Sequence, residues 1–267
     1  QLFLGPNPTS DEELRRIQLI AHETAHAWFG NLVTMDWFDD VWTKEVFANH
    51  FSAWITEPLF PSVNHKLQRL RTFFASALSE DRTPGTNAIH QELDNLRNAG
   101  LIYGQIIYNK APVVMGKIIE LMGEDAFREG IREYLRTYAY SNATWDDLIH
   151  ILDRHTPEDL IAFNDAWVNR KGMPIIRFTP RGNTLEIRQK DRYAPGIVRP
   201  QRFAVTLAAK GQTDTTLEVN LRDSLVRLTL PFAPERVLPN TDGRAYGLLI
   251  PDTASRDWLL AHWHETT

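Results

Sequence analysis

A single break in hydrophobic rhythm, at Lys171-Gly172-Met173-Pro174, divides this chain of 267 residues into two kinds of structure. Before it, apolar residues recur at three- and four-residue spacing, the signature of helices with one buried face. After it come short alternating or β-branched runs over 175–179, 184–189, 202–208, 215–220 and 225–230. Turns such as Arg181-Gly182-Asn183 and Thr241-Asp242-Gly243 separate them, which suggests a small β-sandwich. The two rhythms in succession predict an α+β protein, with a mainly helical part over 1–170 and the sandwich over 171–252. Residues 253–267, with Trp258, Leu259, His262 and Trp263, resemble the opening of one more helix, the start of a truncated C-terminal helical domain.

Within the first part, Ser10 and Glu13 have capping-box spacing, and Leu14, Ile17, Ala21, Ala25, Trp28 and Phe29 predict a helix up to Gly30. A second helix is expected from Asp39 or Asp40 to about Thr56, and a third is marked by Leu67, Leu70, Phe74 and Leu78. Residues 81–100 read as an irregular connection. Pro112 suits the first turn of a helix ended by Gly123, and helices follow at about 124–138, 144–154 and 157–169. Trp28, Phe29, Trp37, Phe38 and Trp42 are expected to pack in the core.

Composition narrows the function classes. The formal net charge of −5 argues against a general nucleic-acid binder. Residues 1–170 hold 15 Lys+Arg against 24 Asp+Glu, net −9, and residues 171–267 hold 14 against 10, net +4. That asymmetry fits two solvated surfaces, or an acidic half that attracts cationic groups such as a peptide ammonium. No apolar run approaches the ~18 residues that span a bilayer. The chain has no cysteine, hence no disulfide, thiolate ligand or thiol nucleophile. Nothing here resolves its compartment.

The chemistry is carried by His22-Glu23-Thr24-Ala25-His26, an HExxH segment inside the first helix. Residues four apart project from one helical face, so two imidazoles can grip one Zn²⁺ while Glu23 points about 100° away and reaches the ion's open position. Glu45, eighteen residues beyond His26, supplies a third candidate ligand if the next helix returns antiparallel. Three protein ligands leave a fourth position open, the arrangement of a catalytic zinc rather than a structural one. His50, His65, His90, His150, His155, His262 and His264 lack partner spacing and read as surface or packing residues. Asp40 reads as a cap of the second helix or as a buttress for the ligand-bearing helices.

The run His22 to Thr34, followed by Asp40-Val41-Trp42-Thr43-Lys44-Glu45-Val46-Phe47-Ala48, closely resembles the aminopeptidase N family of gluzincins, which also contains the leukotriene hydrolases. Ile107-Tyr108-Asn109-Lys110 is similar to the family's Tyr-x-Lys element, and Trp167 to Pro174 to its entry into a β-domain. The resemblance implies a thermolysin-like zincin subdomain. It makes His22, His26 and Glu45 the ligands of one zinc ion, Glu23 the base that takes a proton from the attacking water, and Tyr108 the donor to the tetrahedral intermediate. Tyr103 is the competing tyrosine, without a lysine two positions on. The implied activity is that of a zinc metalloaminopeptidase on peptides with a free N-terminus. A zinc-binding scaffold without catalysis and a leukotriene-type epoxide hydrolase are the alternatives.

The sequence departs from the family in places. Val46 stands where a glycine is usual, and Ala111-Pro112 follows Lys110 in place of glycine. Nothing in residues 1–21 matches the Gly-x-Met-Glu-Asn motif whose Glu grips the substrate's N-terminus. The chain therefore reads as an internal piece of a larger enzyme, whose missing domains are its partners and without which activity is expected to be weak or absent.

Overall fold

The structure, a computed structural model, describes residues 3–98 and 104–262. Tyr103, Trp263 and His264 lie outside the described residues. The fold is α+β, and the chain forms two compact units divided after Arg170.

In the first unit, α1 (Ser10–Ala25) opens on a capping box set one residue earlier than the sequence suggests. Thr9 Oγ1 accepts from the Glu12 N–H at 3.3 Å, and Glu12 Oε2 accepts from the Thr9 N–H at 2.8 Å. The helix also ends before Gly30. His26 is its C-cap, and the chain then tightens through Ala27 N–H to Thr24 O and Trp28 N–H to Ala25 O, both 3.0 Å. Gly30 itself adopts φ +125°, open only to glycine, and turns the chain into the short strand β1 (Val33–Met35).

Helix α2 (Val41–Thr56) packs along α1. Phe29 stacks between them on Phe47 and Phe51, with ring centroids 4.4 and 5.1 Å away. A longer helical run follows, formed by α3 (His65–Arg69), a π-turn (Leu70–Phe74) and α4 (Ala75–Asp81). A second π-turn (Ile106–Lys110) leads into α5 (Ala111–Met122), which Gly123 ends as expected. Then come α6 (Glu124–Thr137), β2 (Ser141–Ala143), α7 (Trp145–Arg154) and α8 (Leu160–Trp167). β2 pairs in parallel with β1, Val33 opposite Ser141. Thr144 and Asp147 make the expected capping box. Pro157 does not open a helix: Asp159 caps α8 by accepting from the Ala162 N–H at 2.8 Å.

Trp42 and Trp145 meet in the core at 4.5 Å between centroids, and Phe47, Phe127 and Ile118 are also fully buried. Trp28, Trp37 and Phe38 are not core residues, contrary to expectation; each is at least one-third exposed. Trp28 lies on the turn that closes α1, where Phe29 points inward instead, and Trp37 and Phe38 lie after β1 at the start of the 3₁₀ turn that leads into α2, with Trp37 Nε1 donating to the Leu93 carbonyl at 2.7 Å. Val46, in place of glycine, is fully buried, so its bulk fills the core side of α2.

In the second unit, β3 (Pro174–Arg181), β4 (Thr184–Asp191), β7 (Leu225–Thr229) and β9 (Leu248–Ile250) form one sheet in the order β7-β4-β3-β9. A second sheet has the order β6-β5-β8, from β5 (Gln201–Ala208), β6 (Thr215–Leu221) and β8 (Arg236–Pro239). Only β3 and β9 run parallel. Inward-facing Ile176, Phe178, Leu185, Ile187, Phe203, Val205 and Val219 share one apolar core, as alternation along paired strands requires. The sequence pattern finds the five longer strands and misses β8 and β9, too short to show alternation. Helix α9 (Thr253–Ala261) is tied to β8 by the Val237 N–H, which donates to Ser255 Oγ at 2.7 Å. Among the described residues, no helix is long and apolar enough to cross a membrane.

Candidate metal centre

The antiparallel return of α2 on α1 sets Glu45 against the two histidines of α1. His22 Nε2 lies 3.2 Å from His26 Nε2 and 3.6 Å from Glu45 Oε2; His26 Nε2 lies 4.0 Å from Glu45 Oε1. The one-turn spacing of His22 and His26 explains why both rings lean the same way, with centroids 4.8 Å apart.

The outer ring nitrogens settle where the lone pairs point. His26 Nδ1 lies 3.0 Å from the Phe29 carbonyl, which can only accept, so that nitrogen carries the proton. His22 Nδ1 lies 3.0 Å from Asn49 Oδ1 in the same arrangement. Both Nε2 atoms then present lone pairs to one another and to a carboxylate. Three electron-rich atoms within 4.8 Å of each other call for a cation between them. Donors bound at about 2.1 Å in a tetrahedron stand about 3.4 Å apart, close to the spacing found. The residues therefore fit a tetrahedral divalent ion with one position left over.

Asn49 is a site residue that the sequence reading did not single out. It lies four residues after Glu45 on α2, so the same one-turn rule that joins the two histidines would have placed it on the ligand face. A proton and a metal ion compete for the same Nε2 lone pair. Hydrogen bonding and charge from Glu45 raise the His22 imidazole above its ordinary range against the opposing effect of burial. The same contact with His22 holds the Glu45 carboxyl below the usual carboxylate range. Lys44 Nζ stands 3.8 Å from Glu45 Oε1.

Glu23 is exposed and lines the same cavity as His22, Glu45 and Tyr108. This cavity, about 390 Å³, continues along α2 past Asn49 and Ser52 to the π-turn residues Thr72 and Phe73. Tyr108 sits on the other π-turn, 38% exposed. π-turns are uncommon, and two of them bordering one cavity aim side chains that a regular helix would turn away. Four of the five sequence-assigned residues, His22, Glu23, Glu45 and Tyr108, line one cavity; His26 does not, but its Nε2 lies 3.2 Å from that of His22.

One expectation needs correction. Asp40 occupies the N-cap position of α2 but its side chain does not bond that helix; its Oδ2 accepts from the Trp145 N–H at 3.0 Å and so tethers the start of α7. His90 is partly exposed and lies 3.9 Å from carboxylate oxygens of both Asp39 and Asp40.

The family model described as "Peptidase family M1 domain" matches residues 1–167. The chain is 30% identical over 217 residues to the leucyl aminopeptidase of Saccharolobus solfataricus, covering 80% of this chain and 28% of that protein. It is 33% identical over 181 residues to the puromycin-sensitive aminopeptidase of Caenorhabditis elegans, covering 67% and 19%. It is 31% identical over 196 residues to aminopeptidase N of Lactococcus lactis subsp. lactis, covering 71% and 22%. The chain thus spans less than a third of the length of these relatives. With more than half of its residues matched by the family model, the chain belongs to peptidase family M1.

Proposed function

We propose that His22, His26 and Glu45 hold one zinc ion, and that the protein to which this chain belongs is a zinc aminopeptidase acting on peptides with a free N-terminus. The observation that carries the reading is the convergence of two imidazole lone pairs and a carboxylate at ligand spacing, beside an exposed glutamate and a tyrosine. The family match and the names of the relatives support the substrate class.

A bound zinc supplies a Lewis acid next to the scissile carbonyl and brings the pKa of water toward ~7. The chain's own residues do the rest. Glu23 accepts the proton of the attacking water and returns it to the leaving amine, a role open to an exposed carboxylate on the same cavity. The Tyr108 hydroxyl donates to the carbonyl oxygen as negative charge grows there. The Phe29 carbonyl and Asn49 hold the two imidazoles in the tautomer that leaves Nε2 free of a proton.

The test loads the whole protein with zinc and compares hydrolysis of amino-acid amides by the unaltered protein and by Glu23→Gln. Loss of a positioned base lowers the rate by roughly 10²–10⁴, with zinc content unchanged. Equal rates would end the assignment of Glu23, and zinc content unaffected by His22→Gln with His26→Gln would end that of the metal site.

A further inference from the structure

A second set of ligand-type side chains meets at the N-terminal end of α2. Asp39 and Asp40 belong to the 3₁₀ turn Phe38–Asp40 that leads into the helix, and His90 comes from the irregular stretch before residue 98. His90 Nε2 stands 3.9 Å from Asp39 Oδ2 and 3.9 Å from Asp40 Oδ1, and one donor atom from each residue lies within 4.8 Å of the others. They line a cavity of about 210 Å³ together with Asp36 and Asp146.

Asp40 points to a ligand independently of the cluster. It is only 6% exposed. Its Oδ2 is satisfied by the Trp145 N–H, but its Oδ1 is sealed from solvent and has no hydrogen-bond partner among the described residues. A buried carboxylate oxygen without a donor is costly. His90 does not relieve it, because 3.9 Å is beyond hydrogen-bond reach. Asp36, Asp39 and Asp146 add further negative charge to the same small cavity. The His90 backbone is itself pinned, since its N–H and that of Ile89 both donate to the Val168 carbonyl, at 3.1 and 3.0 Å. The fold thus fixes the backbone from which the imidazole faces the two carboxylates, and donor atoms within 4.8 Å of one another leave room for a bound cation between them.

We propose that Asp39, Asp40 and His90 form a second cation site, separate from the His22, His26 and Glu45 centre and taking a divalent transition ion such as Zn²⁺ or Mn²⁺. One imidazole among carboxylates favours such ions over Ca²⁺ or Mg²⁺, which prefer oxygen alone. The bound ion clamps the start of the Glu45-bearing helix to the segment around His90. The site stands whether or not the first centre is catalytic.

The test uses the chelator-treated chain and the metals alone. Zn²⁺ or Mn²⁺ is added, loosely held ion is removed by desalting, and bound metal is counted by native mass spectrometry. Two Zn²⁺ per chain are expected for the unaltered protein, one for His90→Gln, one for His22→Gln with His26→Gln, and none when all three are changed. Asp40→Asn keeps a carbonyl oxygen for the Trp145 N–H while removing the charge, and is expected to weaken the second site at least tenfold. In the His22→Gln, His26→Gln background, added Zn²⁺ should still raise Tm, and His90→Gln should abolish that rise. A single Zn²⁺ in the unaltered chain, lost entirely with His22 and His26, would overturn the proposal. So would full retention of the second ion in a His90→Gln protein whose circular dichroism is unchanged.

Discussion

Lys110 Nζ lies 2.8 Å from Asp81 Oδ2, with both side chains fully buried. This ion pair pins the π-turn that carries Tyr108 to the end of α4, and Thr86 Oγ1 donates to the second Asp81 oxygen. Breaking a buried pair from one side strands a charge, which costs about 3–5 kcal/mol. Lys110→Met should therefore lower unfolding stability by that amount in urea titration. Lys110→Met with Asp81→Leu should cost less than the two single changes added together. A loss under ~1 kcal/mol in the single variant would show that the pair is not what holds the turn.

Asn49 is expected to matter through His22 rather than by touching the metal itself. Removing the group that orients a ligand imidazole typically weakens metal binding 10–100-fold. Asn49→Ala should show that loss in zinc titrations against a competing chelator, with far-UV circular dichroism unchanged. Unaltered affinity would mean that His22 is oriented by packing alone.

Tyr108→Phe removes one donor and little volume. If the hydroxyl stabilises developing charge, hydrolysis in the whole protein should fall by about 10²–10³, equivalent to ~2.7–4 kcal/mol, while zinc affinity stays the same. A change confined to KM would instead make Tyr108 a substrate-binding residue.

Acid sensitivity has a specific source away from the metal. His50 is enclosed by Phe51, Trp54 and Phe127, and its Nε2 has no hydrogen-bond partner among the described residues. Burial lowers its pKa from 6.5 to about 4. The unfolded chain then binds a proton between those two values while the folded one does not. The His50 contribution is intact above pH ~6.5 and is lost as pH falls toward 4, at up to about 1.4 kcal/mol per pH unit. His50→Phe should flatten this part of the stability curve relative to the unaltered protein, both measured without metal. Parallel curves would sink the assignment.

Much of this was legible in the residues themselves. The α+β division, most helices, the five longer strands and the HExxH pair all follow from periodicity, because a helix or strand face repeats along the chain. The one-turn rule applies equally to Glu45 and Asn49, yet Asn49 carries no motif and so drew no attention. The end of α1 is not legible from spacing, because apolar residues continue at helical intervals through Trp28 and Phe29 after the chain has left the helix at Ala25.

By itself, the sequence determined which side chains could share a helical face, which segments alternate, and that two imidazoles one turn apart lean the same way. Only the tertiary structure decided the rest: that α2 returns along α1 closely enough to bring Glu45 within 3.6 Å of His22, that Asp40 serves α7 rather than its own helix, and that His90 arrives beside two aspartates at least fifty residues away in sequence. Local patterns record what one element repeats every turn. Contacts between elements depend on how packed faces meet, and no short-range spacing encodes that.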